Sequence, residues 1–156
     1  MLNWRLLPAA WILLAQTRAA GACWAEMSLT EIVASSPVVV AGRIESIDRA
    51  RPAERATDIG RLRVERVLKN ALDDPIAPGD SLALAMPAHA NEVRMSTDIR
   101  FAEGDEGVWI LDPGDDGFRA SYPKDFQPSA CERVIEGIIA TGERDEALAP
   151  EGDACW

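Results

Sequence analysis

Five short segments, separated by turn sequences, constrain the fold of this chain more than any other feature. Each is rich in β-branched residues or alternates apolar with polar residues, which is the pattern of a β-strand. Gly, Pro and Asp clusters lie between them and favour turns. We therefore predict strands at Val38–Ile47, Arg61–Asn70, Ser81–Pro87, Gly107–Asp112 and Gly117–Tyr122.

The alternation also predicts which side chains face inward. Residues two apart along a strand share a face, so the apolar set marks the core side. Gly42 marks a predicted bulge, because the inward parity changes between Val40 and Ile47. The predicted inward residues are Val40, Ile44, Leu62, Val64, Leu82, Leu84, Ile110 and Phe118.

Helices are predicted on both sides of the strands. Ser28 with Glu31, and Ser129 with Glu132, have the spacing of a capping box at a helix start. Gly142 stands where the second helix should end. The apolar face of that helix includes Val134, Ile135 and Ile138. The sequence therefore predicts a mainly β fold: a small five-stranded OB-like barrel with a short N-terminal helix and a C-terminal helix.

The N-terminus has the layout of an export signal. Arg5 precedes the apolar run Leu6–Ala15, and small residues follow at positions 19 to 22. The run is about half the roughly 20 residues that a spanning helix needs. We therefore predict a signal peptide over residues 1–25, a single mature domain over 26–156, and no stable membrane insertion after the signal is removed.

The cleavage position has two interpretations. Small residues at the last and third-last positions permit a cut after Ala22 or after Ala25, and we favour Ala25. A third possibility is a lipobox, Ala20-Gly21-Ala22-Cys23, which would attach lipid to Cys23. The predicted location is the periplasm or the extracellular space, with a lipid anchor at Cys23 as the alternative.

The chain has three cysteines. An odd number leaves a free thiol in an oxidising compartment, and losing Cys23 with the signal, or capping it with lipid, leaves an even pair. We therefore predict a Cys131–Cys155 disulfide that ties the C-terminal tail to the last helix.

The charge balance argues against some partners. The formal net charge is −10. Removing residues 1–25 makes it more negative, because that segment contains Arg5 and Arg18 but no acidic residue. Such a chain repels phosphate backbones, so we expect no nucleic-acid partner.

No catalytic constellation is recognisable. His89 is the only histidine, whereas a metal site needs three or four converging ligands, so we expect no metal and no cofactor. Ser121 and Lys124 fit the S-x-x-K pattern, but Pro123 argues against the helix which that chemistry requires. The acidic turn DPGDDG permits at most a weak cation site at Asp112, Asp115 and Asp116.

Three segments taken together resemble the netrin-like modules, which include the tissue inhibitors of metalloproteinases. The segments are SSPVVVAGRIESI, RLRVERVLKN and FAEGDEGVWIL, and the resemblance covers Ser35 to Tyr122. Val64, Val67 and Lys69 match the second strand of that group, with Asn70 in place of its usual glycine, and Gly104 and Trp109 match a later turn and strand.

The resemblance implies an OB-type barrel rather than an activity. The inhibitors bind the enzyme's zinc through an N-terminal cysteine. This chain has Cys-Trp-Ala at Cys23, where the inhibitors place a second cysteine, and it lacks their dense disulfide set. Inhibition by that route is therefore not the expected activity.

Two classes of function remain. The first is an exported, non-enzymatic module that binds or inhibits another extracytoplasmic protein, using barrel loops such as Ala88–Arg100 and Pro113–Asp116. The second is an extracytoplasmic hydrolase or metal-dependent enzyme with an acidic site. The absence of a recognised nucleophile motif favours the first class, whereas a pocket lined by three or more carboxylates would favour the second.

Overall fold

The structure is a computed structural model that describes residues 27–50, 57–88, 99–120, 122–149 and 155. Predictions for the signal peptide, the cleavage site, Cys23, His89 and Ser121 lie outside these residues. The helices and strands are α1 Leu29–Ser35, β1 Val38–Asp48, β2 Thr57–Asn70, β3 Ser81–Pro87, β4 Glu106–Gly114, β5 Gly117–Arg119, β6 Phe126–Pro128 and α2 Glu132–Thr141.

The first five strands form the predicted mainly β barrel. Antiparallel pairs join β1 to β2, β2 to β3, and β4 to β5, while β3 and β5 run parallel. An antiparallel β1–β4 pair closes the barrel. The short strand β6, which the sequence analysis missed, adds to β4 beside β5. This confirms the predicted OB-like barrel. One helix, α1, precedes the strands in sequence, and the other, α2, follows them.

β2 and β5 differ most from the prediction, whereas β1 and β4 are longer by one or two residues at an end. β2 begins at Thr57 rather than Arg61, because Thr57 to Gly60 pair with the second half of β3. β5 ends at Arg119 rather than Tyr122. The chain then turns through a short 3-10 helix at Pro123–Asp125, where the Asp125 carboxylate accepts the Tyr122 N–H at 2.6 Å.

The core has two parts on opposite sides of the barrel wall. One fills the barrel, and the other lies between the wall and the two helices. The triplet Val38–Val40 is buried on both faces, with Val39 facing the helices. The barrel interior contains Val38, Val40, Ile44, Leu62, Val64, Leu82, Leu84, Met86, Trp109 and Leu111, with Phe118 partly buried against it.

The predicted inward position of Ile110 is wrong. Ile110 packs in the helix layer with Val108, and the barrel interior receives Trp109 and Leu111 from the same strand. The cause is that Gly107–Leu111 is buried throughout. A strand buried on both faces has no polar residues to show which face is inward.

The predicted bulge at Gly42 is confirmed. The β1–β2 register shifts between Ala41 and Gly42, and a β-carbon at Gly42 would lie 2.3 Å from the Arg63 carbonyl oxygen. Only glycine permits this approach. The Gly42 carbonyl oxygen accepts a hydrogen bond from the buried Trp109 indole N–H at 2.9 Å. The bulge thus provides the partner which a buried indole requires.

Helix α1 begins with the predicted capping box. The Glu31 N–H donates to the Ser28 hydroxyl at 3.2 Å, and the Glu31 carboxylate accepts the Ser28 N–H at 2.8 Å. This hydrogen bond to the Ser28 backbone, and a second from the Ser28 hydroxyl, lower the pKa of Glu31. At the other end, the Lys69 ammonium donates to the Val33 and Ala34 carbonyl oxygens at 2.8 and 2.9 Å. Lys69 therefore caps α1 and fixes it to β2.

The second predicted capping box is wrong. A 3-10 turn, Ser129–Cys131, precedes α2, and the helix begins at Glu132 with no side-chain cap. The Glu132 carboxylate instead lies 3.1 Å from the Arg66 guanidinium of β2. The helix does end at Gly142, whose φ of 77° is the left-handed conformation expected there. Within the described ranges, no helix has the length and apolar character needed to cross a membrane.

The structure supports the predicted Cys131–Cys155 disulfide. The two Cα atoms are 5.6 Å apart, within the usual range for a bridge. Both cysteines are fully buried in the layer between the barrel and the helices. The bridge thus holds the end of the chain against the apolar side of α2.

Candidate functional site

Three arginines project from one outer region of the barrel, which we call the arginine face: Arg43 on β1, and Arg61 and Arg63 on β2. Arg43 and Arg63 are direct cross-strand partners, and Arg61 lies two residues from Arg63 on the same side. Their neighbours Ile44, Leu62 and Val64 point into the barrel, so strand alternation directs the arginines outward.

The three guanidinium groups of this face have no direct partner among the described residues. All three side chains are exposed, and none makes a hydrogen bond or an ion pair with another residue in the described part of the chain. Arg66, farther along β2, is different because its guanidinium pairs with Glu132 and Glu136 of α2. Directly opposed like charges on a sheet cost up to about 1 kcal/mol. The fold therefore tolerates an unfavourable pair at this position.

Carboxylates do lie near this face. Glu106 is the cross-strand partner of Arg43 on β4, and Glu45 and Glu65 are exposed beside the arginines in sequence. Among the described residues, however, no carboxylate comes within ion-pair distance of the three guanidinium groups. The arginines thus remain available to an external anion.

A shallow groove of about 310 Å³ adjoins Arg61 on the outer side of β1, β2 and β3. Ser46 and Ser81 provide hydroxyl groups in it, Ile59 provides an apolar surface and Asp48 a carboxylate. The groove thus borders the arginine face at Arg61.

A second concavity, the barrel-end cleft, has a volume of about 470 Å³. It lies where β1, β2 and β3 reach one end of the barrel and meet the segment that leads into β4. Apolar, basic and acidic side chains all line it: Ile47, Arg49, Asp58, Met86, Pro87, Arg100, Phe101, Glu103 and Asp105.

The three carboxylates of the barrel-end cleft each accept a backbone N–H. Asp58 accepts from Ala50 at 2.7 Å, Glu103 from Ile47 at 3.0 Å, and Asp105 from Ala102 at 2.7 Å. The first two bonds join separate chain segments of the cleft, whereas the third lies within the turn Ala102–Asp105. A pocket lined by three carboxylates is the feature that favours an enzyme with an acidic site. Yet no group of three or more His, Cys, Asp or Glu side chains in the described ranges is arranged to hold a metal ion.

The predicted cation site at Asp112, Asp115 and Asp116 is likewise not brought together as a ligand group within the described chain. Asp112 lies on β4 opposite Arg119, whereas Asp115 and Asp116 form the tip of the β4–β5 hairpin, between the paired residues Gly114 and Gly117. Gly117 has a φ of 114°, which this tight turn requires. The acidic motif is therefore the predicted hairpin turn.

The other sequence candidates contribute little to either site. Lys124 of the S-x-x-K pattern donates from its ammonium group to the Met27 carbonyl oxygen at 3.2 Å, so it anchors the start of the described chain. Of the predicted binding loops, most of Ala88–Arg100 lies outside the described residues, and Pro113 and Gly114 belong to β4.

No family model matches this chain, and no curated protein matches it. The netrin-like resemblance therefore stays a prediction from the sequence pattern. Function is therefore inferred from the arginine face and the barrel-end cleft.

Sequence reasoning found part of the arginine face. The alternation in RLRVERV placed Arg61 and Arg63 on the wet side of their strand. It did not place Arg43 opposite Arg63, because the β1–β2 register shifts on both sides of that pair, between Ala41 and Gly42 and between Ile44 and Ser46. The barrel-end cleft had no sequence signal, since its residues come from four separate segments.

Proposed function

We propose that this protein is an exported β-barrel module with no catalytic role, which binds or inhibits an acidic protein outside the cytoplasm through its arginine face. The observation that carries the proposal is the set of three exposed guanidinium groups, Arg43, Arg61 and Arg63, without an ion-pair partner in the described chain. These three positive charges lie on a chain whose formal net charge is −10.

The charge distribution gives the complex an orientation. A strongly acidic chain repels an acidic partner over most of its surface, so attraction is confined to the basic region. Arginine binds carboxylates through two parallel hydrogen bonds and is enriched in protein interfaces. The arginine face would thus select both an acidic partner and the side from which that partner approaches.

Binding through this face predicts a specific effect of charge removal. We expect the double variant Arg43→Gln/Arg63→Gln to bind its acidic partner at least about tenfold more weakly than wild type, since two charged contacts are lost. Immobilised mature protein and native extracytoplasmic extract, followed by mass spectrometry and titration of the captured protein, would measure this. Binding should also weaken as salt is raised.

The matched control is Arg119→Gln/Arg133→Gln, which removes two exposed arginines from β5 and α2 and changes the net charge by the same amount. This variant should capture the same acidic protein as wild type. Equal loss of binding in both double variants would show a general charge effect, and equal retention in both would exclude the arginine face.

Export is the second component of the proposal, and it predicts the mature N-terminus. The apolar run Leu6–Ala15 and the small residues before Cys23 support it. Intact-mass analysis of protein isolated from the native host should give a chain that begins at Glu26. A diacylated Cys23 would make the protein a lipoprotein instead, and Met1 retained in a cytoplasmic protein would contradict export.

The enzyme alternative has one specific observation in its favour, the three carboxylates that line the barrel-end cleft. Against it, each of these carboxylates holds a backbone N–H that shapes the cleft. The geometry therefore supports a binding role for the cleft better than an acid–base role. Hydrolysis of a substrate that stopped on Glu103→Gln would favour the alternative.

A further inference from the structure

The barrel-end cleft presents charges of both signs around an apolar wall. Its volume of about 470 Å³ lies in the range of small-molecule sites, roughly 300–1,000 Å³. The cleft is separate from the three arginines of the arginine face, none of which lines it. It is therefore a candidate binding site in its own right.

The apolar wall is backed by packed aromatic rings. The Phe101 ring packs edge-on against Trp109 with 4.7 Å between ring centroids, and against Phe126 at 5.5 Å. Trp109 is fully buried and hydrogen-bonded to Gly42, so it holds Phe101 from behind. Met86 is only 5% exposed and provides a second apolar surface of the cleft. A preformed wall of this kind suits an aliphatic or aromatic group.

Two of the three carboxylates, Glu103 and Asp105, have spare acceptor positions. Glu103 and Asp105 each accept one backbone N–H, whereas a carboxylate has about four acceptor positions. Each therefore retains capacity for an ammonium group. Asp58 is more deeply buried, at 4% exposure, and its carboxylate holds the Ala50 N–H.

Two arginines line the cleft, Arg100 and Arg49, and they differ in their hydrogen bonds. Arg100 donates to the Ala88 carbonyl oxygen at 3.2 Å. Arg49 is exposed and makes no hydrogen bond or ion pair with any residue that the structure describes. Its guanidinium can therefore bind a ligand carboxylate through two hydrogen bonds.

We propose that this cleft binds a free apolar α-amino acid. Arg49 would bind the carboxylate, Glu103 and Asp105 the ammonium group, and the side chain would contact Phe101 and Met86. A purely anionic ligand would face the carboxylates that line the cleft, and a purely cationic ligand its two guanidinium groups. A zwitterion is attracted to both sets at once, which is why this class fits best.

Calorimetric titration of the mature protein with L-phenylalanine, L-leucine and L-methionine tests the proposal. At least one should bind, and each of two fragments of phenylalanine should bind at least about tenfold more weakly, because each lacks one of the two charged groups. The fragments are phenethylamine, without the carboxylate, and 3-phenylpropionate, without the ammonium group. Failure of all three amino acids to bind at 10 mM (about the weakest affinity of interest) would overturn the proposal.

Two variants assign the contacts. Arg49→Gln should weaken amino-acid binding about tenfold while leaving phenethylamine binding unchanged or stronger. Glu103→Gln keeps an oxygen for the Ile47 N–H and should weaken amino-acid binding while sparing 3-phenylpropionate. Arg133→Gln, on α2, is the control and should bind like wild type. Equal binding of the amino acid by wild type and both cleft variants would overturn the assignment.

The arginine-face variant separates this inference from the proposed function. Arg43→Gln/Arg63→Gln should bind the amino acid with wild-type affinity, because neither residue lines the cleft. A loss of amino-acid binding in that variant would show that the two surfaces are one site and would contradict the inference, whatever the result of the protein-capture experiment.

Discussion

Val64→Asp should abolish cooperative folding of this domain. Val64 is 1% exposed in the barrel interior, and its backbone N–H and C=O bond to the turn residues Asp80 and Gly79. An aspartate there buries an unpaired carboxylate, which costs about 3–5 kcal/mol, and loses about 1.5 kcal/mol or more of apolar burial. The sum is comparable to the whole stability of a typical domain, about 5–15 kcal/mol.

Arg63→Asp is the matched control, one residue away on the opposite face of β2. The new carboxylate would be exposed and directly opposite Arg43, so an unfavourable like-charge pair becomes an attractive one. We expect its free energy of unfolding to stay within about 0.5 kcal/mol of wild type. Circular dichroism during thermal and urea unfolding distinguishes the two variants. A wild-type midpoint for Val64→Asp would show that the faces of β2 are reversed.

The difference between β2 and β4 shows where sequence reasoning succeeds. β2 is wet on one side, so Arg61, Leu62, Arg63 and Val64 alternate and its two faces follow directly from the sequence. β4 separates the barrel interior from the helix layer and is apolar on both sides. Whether Trp109 or Ile110 faces inward depends on the register with β1. The local sequence of β4 does not indicate that register.

Helix starts show the same limit. Ser28–Glu31 and Ser129–Glu132 have identical spacing, yet only the first forms a capping box. At Ser129–Glu132, the Glu132 carboxylate lies near Arg66 of β2. The residues before it form a 3-10 turn that places Cys131 in the core. Tertiary contacts therefore decided between two structures that the local sequence allowed equally.

The two candidate sites differ in how far they were predictable. Strand alternation indicated that Arg61 and Arg63 are exposed, but the pairing with Arg43 required the bulged β1–β2 register. The barrel-end cleft unites Arg49, Phe101 and Glu103 with residues of β2 and β3 only when the barrel closes. Sites assembled from several strand ends depend on topology, so a motif search along the chain does not find them.

Breaking the Cys131–Cys155 bridge should lower the free energy of unfolding by about 3.5 kcal/mol. The two cysteines are 24 residues apart in sequence, and closing a loop of this length removes that much conformational entropy from the unfolded chain in the loop-entropy model. Cys155 is fully buried in the layer between the barrel and the helices, and the bridge holds it there. Reduction should therefore also release Leu148, which packs against the same core.

Comparing oxidised and reduced wild-type protein isolates the cross-link, because no side chain is removed. Urea unfolding of both forms gives the difference in free energy, and Cys131→Ala/Cys155→Ala should be at least as unstable as the reduced protein and insensitive to reductant. Thiol titration of the denatured, unreduced chain that begins at Glu26 should find no free cysteine. Two free thiols would contradict the pairing and would also weaken the case for export, since both depend on an oxidising compartment.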